Sequence, residues 1–267
     1  MKKFFLFLLL ITNFFITTSS IKNKYTIENL SFFEEISKYQ SFQEDKYNKY
    51  LEESKSFDNI VFILNKVNYP NFFTNNNSYK SFDFEGGIFV NKNYFLTENY
   101  VPESLVPITV NKIIRKGETM QADKEASIAL TKLFNDANNH NINLTVYSAY
   151  RSYQKQLQIY NTSLDKNYVA KPGHSEHQTG LAFDISTLNA GLSVHFENSI
   201  EYLYLTNNAY KFGFIERYPK NKTDITNYPY ESWHYRYVGV PIATIIYNEQ
   251  ITLEEYIYKY VELPITF

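Results

Sequence analysis

Two short segments constrain the fold of this 267-residue chain more than any other part of it. The first, Gly173–Asp184, reads G-H-S-E-H-Q-T-G-L-A-F-D, and the second, Glu231–His234, reads E-S-W-H. Two histidines and a carboxylate at these spacings can provide three ligands of a tetrahedral zinc ion. A glutamate three residues before the second histidine can activate the water that takes the fourth position. A fold for this chain therefore has to bring the two segments together.

The amino-acid composition limits which ligands a metal site in this chain can use and which partners the chain can bind. The chain has no cysteine, which excludes a disulfide framework and thiolate ligands, so a bound zinc must be held by His, Asp or Glu. The formal net charge is -2, and the sequence contains no stripe of Lys or Arg of the kind that binds a polyanion. We therefore expect no nucleic-acid partner.

Residues 1–20 have the pattern of a secretory signal. A charged start precedes an apolar run from Phe4 to Ile16, and small polar residues follow it. The run is shorter than the roughly 20 residues that a spanning helix usually needs. An uncleaved N-terminal anchor is the alternative, and it is the only membrane contact that the sequence predicts. We expect an exported protein, either secreted or anchored at the cell envelope.

The rest of the chain divides by composition into two parts. Residues 21–87 are polar and aromatic with clusters of charge, and they predict a helical stalk or N-terminal extension. Residues 88–267 predict one compact domain, in which helices and short strands are mixed without a regular β-α-β order. This mixture predicts an α+β fold, with helices packed around a small antiparallel sheet.

Periodicity places individual elements in this domain. A helix is predicted at 123–139, where apolar residues recur at helical spacing and Asp123 can cap the first turn. Gly180–Ile185 alternates as a strand, with Asp184 on the face opposite Phe183. Further strands are predicted at 144–147, 214–216 and 233–238, and further helices after Ser152 and at 199–211, 242–248 and 253–260.

The chain has five histidines, and a single histidine is more often an ordinary surface or core residue than a metal ligand. His177 and His234 differ because each has an acidic residue at a short, suitable spacing. Spacing alone leaves open both a metal site and two structural histidines. His174 is the rival ligand or a residue that supports the ligands, and His140 and His195 are expected on the surface.

The motifs resemble the VanY-type zinc D-alanyl-D-alanine carboxypeptidase family, a group of LAS-type metallopeptidases. The resemblance rests on Ser175-x-His177-x-x-Gly180-x-Ala182-x-Asp184 together with Glu231-x-Trp233-His234, a long and specific pattern. It covers residues 88–262 and is weaker upstream. It implies a hedgehog/DD-peptidase-like fold and makes residues 88–267 a zinc peptidase domain.

Carried over residue by residue, the resemblance implies zinc ligands at His177, Asp184 and His234, and a catalytic base at Glu231. Glu231 can take a proton from water and pass it to the leaving amine. In an extended strand, Glu231 and His234 would start on opposite faces because their separation is odd. A turn at Ser232 is therefore expected to bring Glu231 back beside the metal-bound water, where it faces the open zinc position and is not a ligand.

The resemblance also implies that Arg151 stabilises the developing oxyanion or holds the substrate carboxylate, and that Gln156 and Ser175 contact the substrate. The residues themselves leave a structural ion pair open for Arg151 and a solvated helix position open for Gln156. The chain departs from the family at Ala149 and Ser232, where Gly and Pro are usual. Neither change removes a chemical group, so only fine geometry is affected.

Together these observations predict an exported zinc peptidase that trims the peptidoglycan stem peptide by removing its terminal D-alanine. An L,D-carboxypeptidase acting on the tetrapeptide, or an endopeptidase cutting inside the stem, is an alternative with the same chemistry. An alternative of another class is a zinc-stabilised wall-binding module without catalysis. Glu231 argues against that module because a structural zinc site needs no base. No protein partner is implied.

Overall fold

The computed structural model describes residues 72–74, 77–110, 119–166, 168–261 and 263. The predicted signal and most of the predicted stalk lie outside these residues, so the division of the chain at 20 and 87 stays a prediction. The described residues belong to one compact unit, Asn68–Phe267. Among the described residues, no helix combines the length and apolar character needed to span a membrane.

Short strands and helices make up this unit, and its first six described elements are strands. The strands are β1 (Tyr79–Lys80), β2 (Phe82–Phe84), β3 (Gly87–Phe89), β4 (Tyr94–Phe95), β5 (Leu105–Pro107), β6 (Gln121–Asp123), β7 (Thr145–Ser148), β8 (Ala182–Ser186), β9 (Phe214–Tyr218) and β10 (Glu231–Tyr237). The α-helices are α1 (Lys124–Asn139), α2 (Tyr153–Thr162), α3 (Ile200–Asn208), α4 (Thr223–Thr226), α5 (Val240–Glu249) and α6 (Leu253–Tyr260). Short 3-10 helices span Glu176–Thr179, Val194–Asn198 and Ala209–Phe212.

The central sheet has four antiparallel strands in the order β7-β8-β10-β9. Two smaller antiparallel pairs join β2 to β3 and β5 to β6. One short pair, β1 with β4, is parallel. The predicted α+β class with a small antiparallel sheet is confirmed.

The central sheet separates the core from the site. Phe183 on β8 lies opposite Tyr235 on β10, and both side chains belong to the buried core that α1 covers with Leu130 and Leu133. On the same two strands Asp184 lies opposite His234. Because successive side chains of a strand point to opposite faces, this second pair is on the face away from α1. The apolar face stabilises the domain, and the other face carries the polar residues.

Helix α1 forms where the sequence predicts it. Asp123 accepts hydrogen bonds at its side chain from the backbone N–H groups of Glu125 and Ala126, as an N-cap residue does. The stripe that includes Leu130 and Leu133 is buried. The cap and the apolar stripe together explain the start of the helix and the face that it buries.

Shortening Leu133 to alanine is expected to lower the free energy of unfolding by about 2–5 kcal/mol, because the side chain is 0% exposed and its loss leaves a cavity. Ile128 on the same helix is 50% exposed and serves as the matched control. Ile128→Ala should change stability by less than about 0.5 kcal/mol. Urea denaturation of both variants measures the difference. Equal losses would contradict the assignment of the core to this face of α1.

Candidate metal centre

Three elements bring the predicted ligands together. His177 lies in the 3-10 helix Glu176–Thr179 just before β8, Asp184 lies in β8, and His234 lies directly across the sheet on β10. Asp184 Oδ2 is 3.3 Å from His177 Nε2, and Asp184 Oδ1 is 3.3 Å from His234 Nδ1. The three side chains are buried, and one donor atom from each lies within 4.8 Å of the others.

Gly180 follows the 3-10 helix that contains His177 and allows the backbone to turn from that helix into β8. Its φ of +74° lies in the left-handed region, and a Cβ there would be 3.0 Å from the backbone nitrogen of Asp123. The same nitrogen donates to the Gly180 carbonyl over 2.9 Å. A side chain at this position would therefore strain the backbone and crowd the contact that ties the turn to the start of α1.

The remaining ring nitrogens have partners that set their protonation. His177 Nδ1 is 2.7 Å from the carbonyl oxygen of Ala149, and a carbonyl only accepts, so this nitrogen carries the proton. His234 Nε2 is 3.4 Å from Glu176 Oε2. Each ring thus leaves its other nitrogen facing Asp184. Because Ala149 contributes only its backbone carbonyl here, its departure from the family pattern leaves this bond intact.

The electrostatics of the centre favour a cation. Burial lowers the pKa of His177, which favours the neutral imidazole that binds metals. Burial also acts to lower the pKa of His234, but hydrogen bonds to Asp184 and Glu176 outweigh it and raise that pKa to about 9. Burial opposes ionisation of Asp184 as well, yet His177 and His234 hold its pKa well below the usual range. The carboxylates therefore create a negative field that a metal ion would neutralise.

Glu231 reaches the centre by a route other than the predicted one. The turn expected at Ser232 is wrong, because β10 already begins at Glu231. Instead, the pairing of β10 with β9 shifts register between Glu231 and Tyr235, and such an irregularity re-aims side chains. Glu231 Oε2 lies 3.6 Å from His234 Nδ1. Burial raises the pKa of Glu231 to about 7, which suits proton transfer near neutrality.

Arg151 is held beside the three residues by its neighbours. Its Nη2 donates to Ser148 Oγ over 2.9 Å and lies 3.6 Å from Asp184 Oδ2. Its Nη1 donates to Gln156 Oε1 over 2.9 Å. Gln156 in turn donates to the Ala170 carbonyl over 2.7 Å, so both ends of its amide contact protein. The structure thus places Gln156 behind Arg151 rather than on the solvated face of α2.

The other histidines lie apart from the centre. His174 Nδ1 is 2.9 Å from the Asn91 carbonyl oxygen, and His174 is not in the group of candidate metal ligands. His140 and His195 are exposed. Among the described residues, the candidate metal group is therefore the set that the motif predicts.

One residue at the centre was missed by sequence reasoning. Glu176 is 1% exposed; burial opposes its ionisation, but Arg217 and Arg236 hold its pKa well below the usual range. It stands next to His177 in the motif, yet its carboxylate faces His234. The sequence indicates only that Glu176 is adjacent to His177, whereas the histidine that its carboxylate contacts is His234.

The centre opens into a cleft of about 120 Å³. Besides the three candidate ligands, residues of three kinds line it: charged and polar Arg151, Gln156, Ser175, Glu176 and Glu231, aromatic Tyr168, Tyr218, Tyr228 and Trp233, and apolar Ile159, Val169 and Ala170. Two imidazoles and one carboxylate, each with a nitrogen or oxygen turned toward the others, form a donor set that suits Zn²⁺. The residues present therefore fit a zinc ion with one side open to a substrate.

Comparison with known proteins gives a consistent group of matches. The family model VanY, D-alanyl-D-alanine carboxypeptidase, matches residues 119–240. The protein YodJ of Bacillus subtilis is 43% identical over 180 residues, which is 64% of this chain and 66% of YodJ. The chain spans 55% and 56% of two D-alanyl-D-alanine carboxypeptidases from Enterococcus faecalis and Enterococcus faecium.

Two solved structures match over most of their length. The LD-carboxypeptidase LdcB is 44% identical, with a TM-score of 0.60, and the match covers 64% of this chain and 84% of LdcB. A mutant of the vancomycin resistance D,D-pentapeptidase VanY, solved in complex with Zn(II), is 34% identical with a TM-score of 0.55. That match covers 65% of this chain and 99% of the other.

Proposed function

The chain belongs to the VanY family of D-alanyl-D-alanine carboxypeptidases, and from this premise we propose that it is a zinc carboxypeptidase acting on peptidoglycan stem peptides. One observation carries the proposal: His177, Asp184 and His234 converge in a cleft where Glu231 lies 3.6 Å from His234 Nδ1. The zinc complex of the related VanY supports the choice of metal.

In this proposal His177, Asp184 and His234 hold the zinc ion. The ion supplies Lewis acidity for the attack of water on an amide carbonyl. Glu231 accepts the proton of that water at its carboxylate and then gives it to the leaving amine. Burial raises the pKa of the Glu231 carboxyl in the metal-free cleft, which is the direction that favours holding a proton between the two steps.

Arg151 provides the cation that a carboxypeptidase requires. Its guanidinium is oriented by Ser148 and Gln156 and lines the same cleft as Glu231. It therefore stabilises the developing oxyanion or binds the free carboxylate of the substrate. Ser175 lines the cleft as well, and we assign it to contact with the peptide. Gln156 also lines the cleft, but its amide already contacts Arg151 and the Ala170 carbonyl, and we assign it to holding Arg151 in place.

The bond that we assign is the terminal D-alanyl-D-alanine bond of the pentapeptide, which the description of the family supports. A second candidate is removal of D-alanine from the tetrapeptide, and the 44% identity to the LD-carboxypeptidase LdcB favours it. An endopeptidase would cut inside the stem instead. All three reactions use the same ligands and base, so the substrate separates them.

Purified muropeptides with pentapeptide and tetrapeptide stems, incubated side by side with the zinc-loaded protein, test the proposal by mass spectrometry. We expect the pentapeptide to lose one alanine while the tetrapeptide stays intact. Loss of alanine from the tetrapeptide would support the L,D reaction, and internal fragments would support the endopeptidase. If the protein binds wall material and cuts neither stem, the non-catalytic wall-binding module replaces the enzyme.

We further propose that the protein acts outside the cytoplasm, either secreted or anchored at its N-terminus. The apolar run within residues 1–20 supports export, and peptidoglycan lies in the compartment that export reaches. Cell fractionation with an antibody to the domain tests this placement. Recovery of the protein in the cytosol alone would contradict it.

A further inference from the structure

Four charged side chains meet behind the metal centre, and all are at most 1% exposed. Glu176 Oε1 accepts hydrogen bonds from Arg217 Nε over 2.7 Å and from Arg236 Nη1 over 3.0 Å. Arg217 also forms a bidentate ion pair with Glu254, in which Nη1 and Nη2 donate to the two carboxylate oxygens over 2.8 and 2.6 Å. Two carboxylates and two guanidinium groups balance in charge, which makes their burial tolerable.

The two oxygens of Glu176 have different partners. Both arginine contacts go to Oε1, whereas Oε2 is turned to His234 and lies 3.4 Å from Nε2. A carboxylate paired with two guanidinium groups is ionised and can only accept. The facing nitrogen of His234 must therefore carry a proton. Its other nitrogen, Nδ1, lies on the side of Asp184, at 3.3 Å from Oδ1, and is the ring atom left to bind a metal.

We propose that Glu176 is a positioning residue that fixes His234 with its proton on Nε2 and so presents Nδ1 to the metal. This inference rests on the proposed zinc site. Metal-binding histidines commonly donate their second N–H to a carboxylate, which fixes the ring and raises the basicity of the ligand. His177 is fixed by the backbone carbonyl of Ala149 instead. A side-chain substitution can therefore change the support of His234 while the support of His177 stays.

The arginines are themselves held by segments outside the residues that match the family model, which are 119–240. Arg236 Nη2 donates to the carbonyl of Ile88 over 2.9 Å, next to the turn between β2 and β3. Glu254, the partner of Arg217, lies on α6. Glu176 is therefore held by two arginines with separate anchors, so loss of the Glu254 anchor still leaves Arg236 to orient it.

The substitution Glu176→Gln distinguishes this role from simple packing. The two arginines donate to the Oε1 position, so the amide oxygen of the new side chain would take that place. The amide NH₂ would then face His234 Nε2, and two N–H groups cannot share a hydrogen bond. The ring would be driven to carry its proton on Nδ1, where the metal has to bind. Glu176→Gln thus keeps volume and reverses the direction of one hydrogen bond.

Zinc affinity of folded protein, measured by competition with a chromophoric chelator, tests the proposal, and Glu254→Gln is the matched control. Both substitutions remove one buried carboxylate that pairs with Arg217, but only Glu176 contacts His234. We expect Glu176→Gln to weaken zinc binding by about 10–100-fold. Glu254→Gln should lower the melting temperature and bind zinc near the wild-type affinity. Unchanged affinity in Glu176→Gln, or equal weakening in both, would overturn the proposal.

If Glu176→Gln does not fold, a measurement on the wild-type protein tests the proposal instead. Nitrogen-15 NMR of the zinc-loaded protein should find the His234 proton on Nε2, hydrogen-bonded to a carboxylate, and a proton on Nδ1 would overturn the proposal. The same titrations separate this inference from the proposed function. If the wild-type protein binds no zinc, both the proposed function and the positioning role of Glu176 are contradicted. If the wild type binds zinc and Glu176→Gln binds it equally well, only the positioning role is contradicted.

Discussion

Replacing His177 by alanine is expected to abolish zinc binding and to reduce stem-peptide hydrolysis to the background rate. His177 supplies one of three donors that lie within 4.8 Å of one another, and two donors cannot hold the ion in the same geometry. The loss should exceed the about 10–100-fold weakening that follows loss of a residue that only supports a ligand. Metal analysis after dialysis, together with the rate on muropeptides, measures both effects.

His174→Ala is the control for this prediction. His174 lies three residues earlier, and its Nδ1 contacts the Asn91 carbonyl rather than the candidate ligands. We expect this variant to retain zinc. Full zinc occupancy in His177→Ala, or loss of zinc in His174→Ala, would show that the chain uses a different histidine.

The parts of the fold that depend on local sequence were predictable. Asp123 and the apolar stripe behind it indicate the start and the buried face of α1 because capping and helical periodicity act within a few turns. The alternation of Gly180–Ile185 separates Asp184 from Phe183, and β8 does carry them on opposite faces. Local patterns therefore predicted which side chains point away from the core.

The parts that depend on long-range pairing were not predictable. The register of β10 with β9 shifts at a point that no residue type marks, so a turn at Ser232 was expected where the strand continues. Glu176 meets Arg217 and Arg236, which are 41 and 60 positions away in the chain. Nothing in the sequence distinguishes these two arginines from arginines that are exposed to solvent. Only the assembled sheet shows that these charges face inward.

The contacts around residue 88 have the same explanation. Residues upstream of 88 are polar and aromatic and resemble a stalk in composition. In the structure, the carbonyls of Gly86 and Ile88 accept hydrogen bonds from Arg236 on the central sheet. Because these contacts use the backbone, the side chains of the segment give no indication of them.

Replacing Glu231 by glutamine is expected to leave zinc bound and the protein folded while lowering turnover by at least about 10²-fold, the usual contribution of a general base. Glu231 lies 3.6 Å from His234 Nδ1 but is not in the group of candidate ligands. Glutamine keeps the size of the side chain and cannot accept the proton of water. Steady-state rates on the pentapeptide, with zinc content measured on the same samples, test this expectation.

Glu216→Gln is the matched control because the same substitution is made in a second glutamate whose pKa is raised by burial to about 7. Glu216 lies on the neighbouring strand β9, accepts a hydrogen bond from Tyr202 over 3.1 Å, and is absent from the residues that line the candidate cleft. Its variant should keep the wild-type rate. If Glu231→Gln also keeps that rate, another group removes the proton. If Glu231→Gln instead loses zinc, Glu231 contributes to metal binding itself. That result would contradict its assignment as a base that is not a ligand.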